Sequence, residues 1–112
     1  MATDRDFVDY VAEQIGLGAR LSLRKMFGEY ALYLDGKVIA FACDNSLFIK
    51  PSPASAALAP DLPARPPYPG GKEHPVADEL LDDPDLLRRL VLETAAHMLP
   101  PKPRSRRSGP RG

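Results

Sequence analysis

The sequence predicts an α+β fold: an N-terminal helix, a central antiparallel β-meander of about four strands, a C-terminal helix packed on the sheet, and a disordered basic tail. Residues 4–15 carry apolar side chains at helical spacing, and residues 20–50 hold short apolar runs separated by turn residues. A second helical stripe follows Asp83. Because helices flank a run of strands, we expect them to pack on one face of a single sheet.

The first helix is predicted over residues 4–15. Thr3 is the expected N-cap, with Asp6 three residues later in the weaker form of a capping box. Gly16 or Gly18 is expected to end the helix. Its apolar stripe consists of Phe7, Val8, Val11 and Ile15.

The predicted meander contains four strands, at residues 20–27, 30–34, 37–42 and 47–50. Gly28 marks a bend or bulge after the first strand, since glycine adopts unusual backbone angles easily. Asp35-Gly36 is a strong signal for a type I′ hairpin turn. The third strand is almost continuously apolar, which is typical of a strand covered on both faces.

The second half of the chain is predicted to be less regular. Ser52 and Pro53 indicate the start of a short helix at 52–59, and the prolines of 60–75 indicate an irregular loop. One helical turn is expected at 76–81. Asp83 then caps the last helix, with Pro84 at its first position. Its apolar stripe consists of Leu86, Leu87, Leu90, Val91, Thr94 and Met98, and Pro100-Pro101 ends it.

The 112 residues predict one domain, residues 1–99, followed by a flexible tail rich in proline and arginine at 100–112. The formal net charge is zero, but residues 101–112 hold five of the fifteen basic residues and no acid. The rest of the chain therefore carries ten basic against fifteen acidic residues. An acidic body with a basic tail is a charge asymmetry to be weighed when partners are considered.

The predicted compartment is the cytoplasm. Cys43 is the single cysteine of the sequence, so no disulfide can form within the chain. No apolar run approaches the roughly 20 residues that cross a bilayer, so no membrane partner is expected. The first ten residues carry acids and lack the apolar segment of a signal peptide.

The stretch Arg24, Lys25, Met26, Phe27 and Gly28 is a candidate binding site, with a structural alternative. Neighbouring strand residues face opposite sides of a sheet, so Arg24 and Lys25 are not expected to form one patch. Met26 and Phe27 are expected in the core or at its edge, and Phe27→Ala should then destabilise the fold by about 3–5 kcal/mol. We interpret the stretch mainly as a packed corner that enters the hairpin.

No catalytic, cofactor or metal site is predicted, so the chain is not expected to be an enzyme. Cys43, His74 and His97 lack the spacing of a metal site, and Cys43 has no evident base to activate it. The acids of residues 78–85 fit helix caps better than an EF-hand loop. The "YPGGK" segment at 68–72 lacks the full phosphate-loop pattern, so a tight turn with Lys72 exposed is the simpler account.

The basic tail is a candidate for nucleic-acid contact that tracks phosphates without reading bases. A solubilising terminus, or one that touches the acidic body, explains the same residues equally well. The candidate contacts are Lys102, Arg104, Arg106, Arg107 and Arg111.

The run "RKMFGEYALYLDGKVIAFACDNSLFIK" at 24–50 resembles the N-terminal domain of the TfoX/Sxy family. The segments "YPGG" at 68–71 and "LLDDPDLLRRLV" at 80–91 fall where that family has similar ones. The resemblance covers roughly residues 5–98 and implies an α+β domain with a central antiparallel sheet, related to bacterial regulators of DNA-uptake competence. Full-length members of the family carry a second, C-terminal domain, whereas here a stand-alone domain with a basic tail is expected. It implies no catalytic residues. Relative to the family, the strand after the YPG loop is expected to be missing or very short here.

Three functional hypotheses follow. The first is a non-enzymatic regulatory module that binds a protein partner, with the transcription machinery as one candidate. The second is a nucleic-acid-binding accessory protein that uses the tail. The third and weakest is a small-molecule-binding domain with a cleft beside the 60–75 loop. The sequence leaves the oligomeric state open, because an unpaired edge strand is compatible with a dimer.

Overall fold

The computed structural model describes residues 3–98 and confirms the α+β architecture. Three α-helices and six strands alternate with two short 3₁₀ helices, at Gly18–Arg20 and Asp78–Asp82. The elements are α1 (Arg5–Ile15), β1 (Leu21–Met26), β2 (Glu29–Leu34), β3 (Lys37–Cys43), β4 (Ser46–Ile49), α2 (Pro53–Leu58), β5 (Ala64–Arg65), β6 (His74–Pro75) and α3 (Pro84–His97).

The main sheet has the order β1-β2-β3-β4, and all neighbouring strands are antiparallel. Each connection is a two-residue turn in which both residues have positive φ, as a type I′ turn requires. This confirms the prediction for Asp35-Gly36. Gly28 (φ 84°) is the second residue of the β1–β2 turn, and the register irregularity of the sheet lies between Leu32 and Tyr33 instead.

The two faces of the sheet have different roles. The inner face presents Tyr30, Leu32 and Leu34 of β2 to the main core, which the helices complete. The outer face carries a smaller cluster of Phe41, Cys43, Phe48 and Val76. β3 contributes buried residues to both faces, in agreement with its nearly continuous apolar run.

Helix α1 begins one residue later than the sequence predicted. Asp4 is the N-cap and its side chain makes no capping hydrogen bond, so the expected capping box of Thr3 and Asp6 is wrong. The Thr3 hydroxyl is used instead in a tertiary contact with the Glu29 carboxylate. Gly16 ends the helix in the left-handed conformation (φ 69°), where an L side chain would be strained.

Helices α2 and α3 confirm the predicted caps. The Ser52 side chain accepts a hydrogen bond from the Ala54 amide, and Asp83 accepts one from the Leu86 amide. Both helices have proline at their first position. The buried residues of α3 are Leu87, Leu90, Val91, Thr94 and Ala95.

The 60–75 segment is more ordered than its prolines predicted. Residues 64–65 pair with residues 74–75 as a small two-stranded sheet, and Pro67 is buried. Val76 then bridges to Phe48, and the Ala77 amide donates to the Leu47 carbonyl at 2.8 Å. The strand after the YPG loop is thus very short, and residues 76–77 cover part of the β4 edge.

Within residues 3–98, no helix combines the length and the apolar character needed to cross a membrane.

Candidate functional site

An apolar cleft of about 500 Å³ lies on the outer face of the sheet. It separates the β1–β2 turn from the YPGG segment, and its lining is almost entirely apolar. We call this site the apolar cleft. Its lining residues are Met26, Phe27, Glu29, Phe41, Cys43 and Tyr68, together with Tyr30, which also belongs to the main core.

Phe27 stands at the mouth of the apolar cleft and is fully exposed, while Met26 beside it is 36% exposed. The expectation that both belong to the core or its edge is therefore wrong. The reason is the turn: Phe27 is the first of its two residues, and side chains at the tip of a hairpin point away from the sheet. Phe27 also has a φ of 50°, which is uncommon for a bulky residue.

Arg24 and Lys25 precede this turn and lie on opposite faces of β1, as strand alternation predicted. Both are exposed, and neither forms a salt bridge with another described residue. The Arg24 guanidinium carbon lies 5.7 Å from the centroid of the Tyr33 ring, so Arg24 covers an aromatic face of the outer surface.

Cys43 lies in the floor of the apolar cleft beside Phe41. Burial raises the pKa of the Cys43 thiol to about 11, and the nearby charges of Glu29 and Asp44 act in the same direction. The thiol is therefore protonated at neutral pH, which disfavours a role as nucleophile or metal ligand. Its chemistry is that of a small apolar side chain.

The N-terminal segment clamps the strand ends that frame the cleft. The Thr3 amide donates to the Gly28 carbonyl at 3.0 Å, and the Thr3 hydroxyl contacts Glu29 as well as the Ala42 carbonyl. The Asn45 amide donates to the same hydroxyl at 3.3 Å. We call this set of contacts the Thr3 clamp. It joins the β1–β2 turn to the β3–β4 turn, and it engages the Glu29 carboxylate in a hydrogen bond within the protein.

The opposite wall of the cleft is Tyr68, which is 55% exposed. A Cβ atom at Gly71 would lie 2.8 Å from Cε1 of Tyr68, so glycine permits this close approach. The segment is anchored through both strands of its small sheet, at the pair Arg65 and His74. Arg65 lies 5.3 Å from the Phe48 ring centroid, and His74 packs edge-on against Phe41 at 5.8 Å.

The structure thus brings the Met-Phe-Gly part of the candidate stretch together with the YPGG segment, two regions that sequence reasoning treated separately. It also adds Thr3, Glu29 and Phe41, which that reasoning missed. The alternation of "FAC" was an available signal for Phe41 and Cys43 sharing a face, but nothing local links Thr3 to Glu29. The five tail cations Lys102, Arg104, Arg106, Arg107 and Arg111 lie outside the described residues.

The described part of the chain contains no group of three or more histidine, cysteine or acidic residues arranged to hold a metal ion. His74 is buried, with its Nδ1 2.8 Å from the Lys72 carbonyl, whereas His97 is exposed in the last turn of α3. The cleft volume is within the range of small-molecule pockets, which is roughly 300–1,000 Å³. Its one carboxylate, Glu29, is already hydrogen-bonded within the protein.

Comparisons with known proteins agree with this architecture. The model of the TfoX N-terminal domain matches residues 13–98. A relative from Spirochaeta aurantia, described as an uncharacterized 12.7 kDa protein in the trpE 5′ region, is 40% identical over 104 residues, which span 93% of this chain and 90% of the relative. No solved structure matches the chain significantly. The family match supports a competence-related regulatory or interaction module in general, and the family is not known for enzymatic activity. The chain belongs to the TfoX N-terminal domain family.

Proposed function

We propose that this protein is a non-enzymatic regulatory module of the bacterial cytoplasm that binds a protein partner through the apolar cleft. The partner inserts a large apolar side chain between Phe27 and Tyr68. A component of the transcription machinery is the candidate that the family relationship favours. The observation that carries the proposal is the complete exposure of Phe27 at the mouth of an apolar site.

The energetics favour a protein anchor at this site. Burying one fully exposed phenylalanine side chain contributes about 1.5–3 kcal/mol. Aromatic side chains are also enriched among the residues that dominate binding energy at protein interfaces. Phe27, Met26 and Tyr68 are exposed together around a preformed cleft, so a partner would bury several apolar groups at once.

The test is affinity capture from a nuclease-treated bacterial lysate, followed by reconstitution with the purified partner. The full-length chain is compared with Phe27→Asn, which keeps a residue suited to the turn and removes the ring. Asp35→Asn is the matched control, because Asp35 (φ 52°) occupies the same position in the β2–β3 turn at the other end of β2.

A single identified protein that binds the wild type and Asp35→Asn but loses at least tenfold in affinity for Phe27→Asn would support the proposal. This change corresponds to about 1.4 kcal/mol, which is near the lower bound of the energy expected from burying the ring. Equal binding to all three proteins, or no binding in reconstitution, would contradict it.

A second candidate function is nucleic-acid binding through the tail, and the five cations of residues 101–112 favour it. Contact of all five with phosphates predicts that log K falls with log salt at a slope of roughly −3.5 to −4.5. The full chain should be compared with a deletion of 101–112 and with a tail in which the five cations are glutamine. Binding that survives the deletion, or that ignores salt, would exclude this function.

A further inference from the structure

We propose that the free edge of β1 is a strand-addition site for an extended, acidic segment of the partner. This inference rests on the proposed function, because it names the kind of chain that such a partner would bring to the domain. It concerns the backbone and charged side chains of β1, and Met26 is the one residue that this edge shares with the apolar cleft.

The backbone of β1 has unused hydrogen-bonding groups. Met26 pairs with Glu29 across the two-residue turn, so this pair is hydrogen-bonded, and so are the pairs of Arg24 and Ser22 with their partners in β2. The amide and carbonyl groups of Leu23 and Lys25 must then point away from β2. They present a row of donors and acceptors that an added strand would satisfy.

This edge is open in the described part of the chain. β1 is the first strand of the sheet and pairs with β2 alone, over six residues. At the other end of the sheet, the bridge from Phe48 to Val76 and the bond from Ala77 to Leu47 partly cover the edge of β4. β1 is therefore the longer edge available for pairing.

The positive charge of the β1 edge favours an acidic partner strand. Arg24 and Lys25 are exposed on opposite faces of β1 and have no salt bridge among residues 3–98. An antiparallel strand that places one acidic side chain opposite each of them would gain two cross-strand pairs, each contributing roughly 0.2–1 kcal/mol. The two acids must be adjacent in the added strand. Its neighbouring side chains also point to opposite faces, so one acid meets Arg24 and the next meets Lys25.

A second copy of this chain fits the edge less well. Pairing β1 with itself so that Leu23 faces Lys25 places Arg24 directly opposite Arg24 of the other copy. Pairing centred on Lys25 places two lysines opposite each other. The register centred on Leu23 avoids both, but it still gathers four cations on a short two-stranded ladder, and like charges across strands are destabilising.

The side chains of β1 define the pattern of the added strand. Running antiparallel, it should present an apolar residue opposite Met26, acids opposite Lys25 and Arg24, and an apolar residue opposite Leu23. A small polar residue then faces Ser22, and an apolar residue faces Leu21. The peptide Val-Glu-Glu-Val-Thr-Val, acetylated and amidated, has this pattern.

The test titrates this peptide into the isotope-labelled full-length protein and follows the backbone amides by NMR. We expect shifts and slower hydrogen exchange at Leu23 and Lys25. N-methylation of the second and fourth peptide residues removes the donors that face β1 and should abolish binding. N-methylation of the third and fifth residues, which face away, is the matched control and should leave binding intact.

Charge reversal provides a second test. Replacing both Arg24 and Lys25 by glutamate should lower the affinity for this peptide roughly tenfold. The same double variant should bind a peptide that has lysines in place of the two glutamates. The control reverses two exposed cations elsewhere, Lys72→Glu with Arg89→Glu, and should leave peptide affinity unchanged.

The inference is overturned if the peptide shifts no β1 amide, if shifts are confined to the apolar cleft, or if the two N-methylated peptides bind alike. A dimer joined through β1, seen by sedimentation and broken by the charge reversal, would also overturn it. These outcomes are separate from the proposed function, since the lysate test depends on Phe27. If capture of the partner requires Phe27 and the peptide shifts no β1 amide, only the strand-addition site is refuted.

Discussion

Replacing Phe27 by asparagine should stabilise this protein although it removes a large apolar side chain. Phe27 has a φ of 50° and is fully exposed. An L residue in the left-handed region is disfavoured by about 1–2 kcal/mol, and asparagine is one of the few residues that tolerate it. The mutation loses no burial, so we expect the free energy of unfolding to rise by about 1 kcal/mol.

The comparison with Phe27→Ala separates strain from packing. Alanine keeps the Cβ atom and therefore most of the strain, so its free energy of unfolding should stay within about 0.5 kcal/mol of wild type. If the ring were packed in the core, truncation would destabilise the fold by about 3–5 kcal/mol. Urea unfolding followed by far-UV circular dichroism measures both variants, and the asparagine variant should also melt about 4–8 °C higher.

Two results would refute this reasoning. A loss of more than about 1.5 kcal/mol in Phe27→Ala would show that the ring packs against the domain. An asparagine variant no more stable than the alanine variant would show that the turn is not strained. The proposed function adds that both variants lose the partner, so stability and binding should move in opposite directions in Phe27→Asn.

Four further outcomes follow from the structure. Leu90→Ala should lower the free energy of unfolding by about 2–5 kcal/mol, measured in urea, because Leu90 is completely buried. Thr94→Val should raise it by about 1 kcal/mol, since the buried Thr94 hydroxyl has no hydrogen-bond partner; a loss would contradict this. Cys43 should react slowly with a thiol reagent at pH 8 and faster as the pH approaches its pKa of about 11; labelling at the unfolded rate would contradict its burial. The hydrogen bond from Arg20 lowers the pKa of Asp35, so the pair stabilises the fold at pH values above the unfolded pKa of about 3.9. This contribution is lost as the pH falls through the lowered pKa of the folded state. Asp35→Asn should therefore flatten that part of the curve of unfolding free energy against pH.

Local patterns predicted most of the fold correctly, because the elements concerned are specified by neighbouring residues. Asp35-Gly36 forms its type I′ turn, and Ser52 with Pro53 starts α2 as their capping chemistry predicts. The third strand is covered on both faces, as its apolar run indicated. In each case the signal and the structure lie within a few residues of each other.

The errors occur where a residue takes part in a contact distant in sequence. The local pattern predicts Thr3 as a helix cap, but its hydroxyl contacts the Glu29 carboxylate, 26 residues away. The apolar character of Phe27 predicts a place in the core, although a turn residue points away from the sheet. The proline-rich 60–75 segment forms two strands because each pairs with the other, and composition does not reveal that pairing.

The Thr3 clamp explains how a strained turn persists at the mouth of the cleft. An isolated hairpin with phenylalanine at its first turn position would lose about 1–2 kcal/mol of stability. Here the Thr3 amide holds the Gly28 carbonyl, and the Glu29 carboxylate also accepts from the Asp44 amide at 3.2 Å. The backbone around Phe27 is therefore ordered before any partner arrives. Because this backbone is ordered during folding, binding a partner costs little further conformational entropy. An exposed ring on an ordered turn is therefore a better anchor than one on a flexible loop.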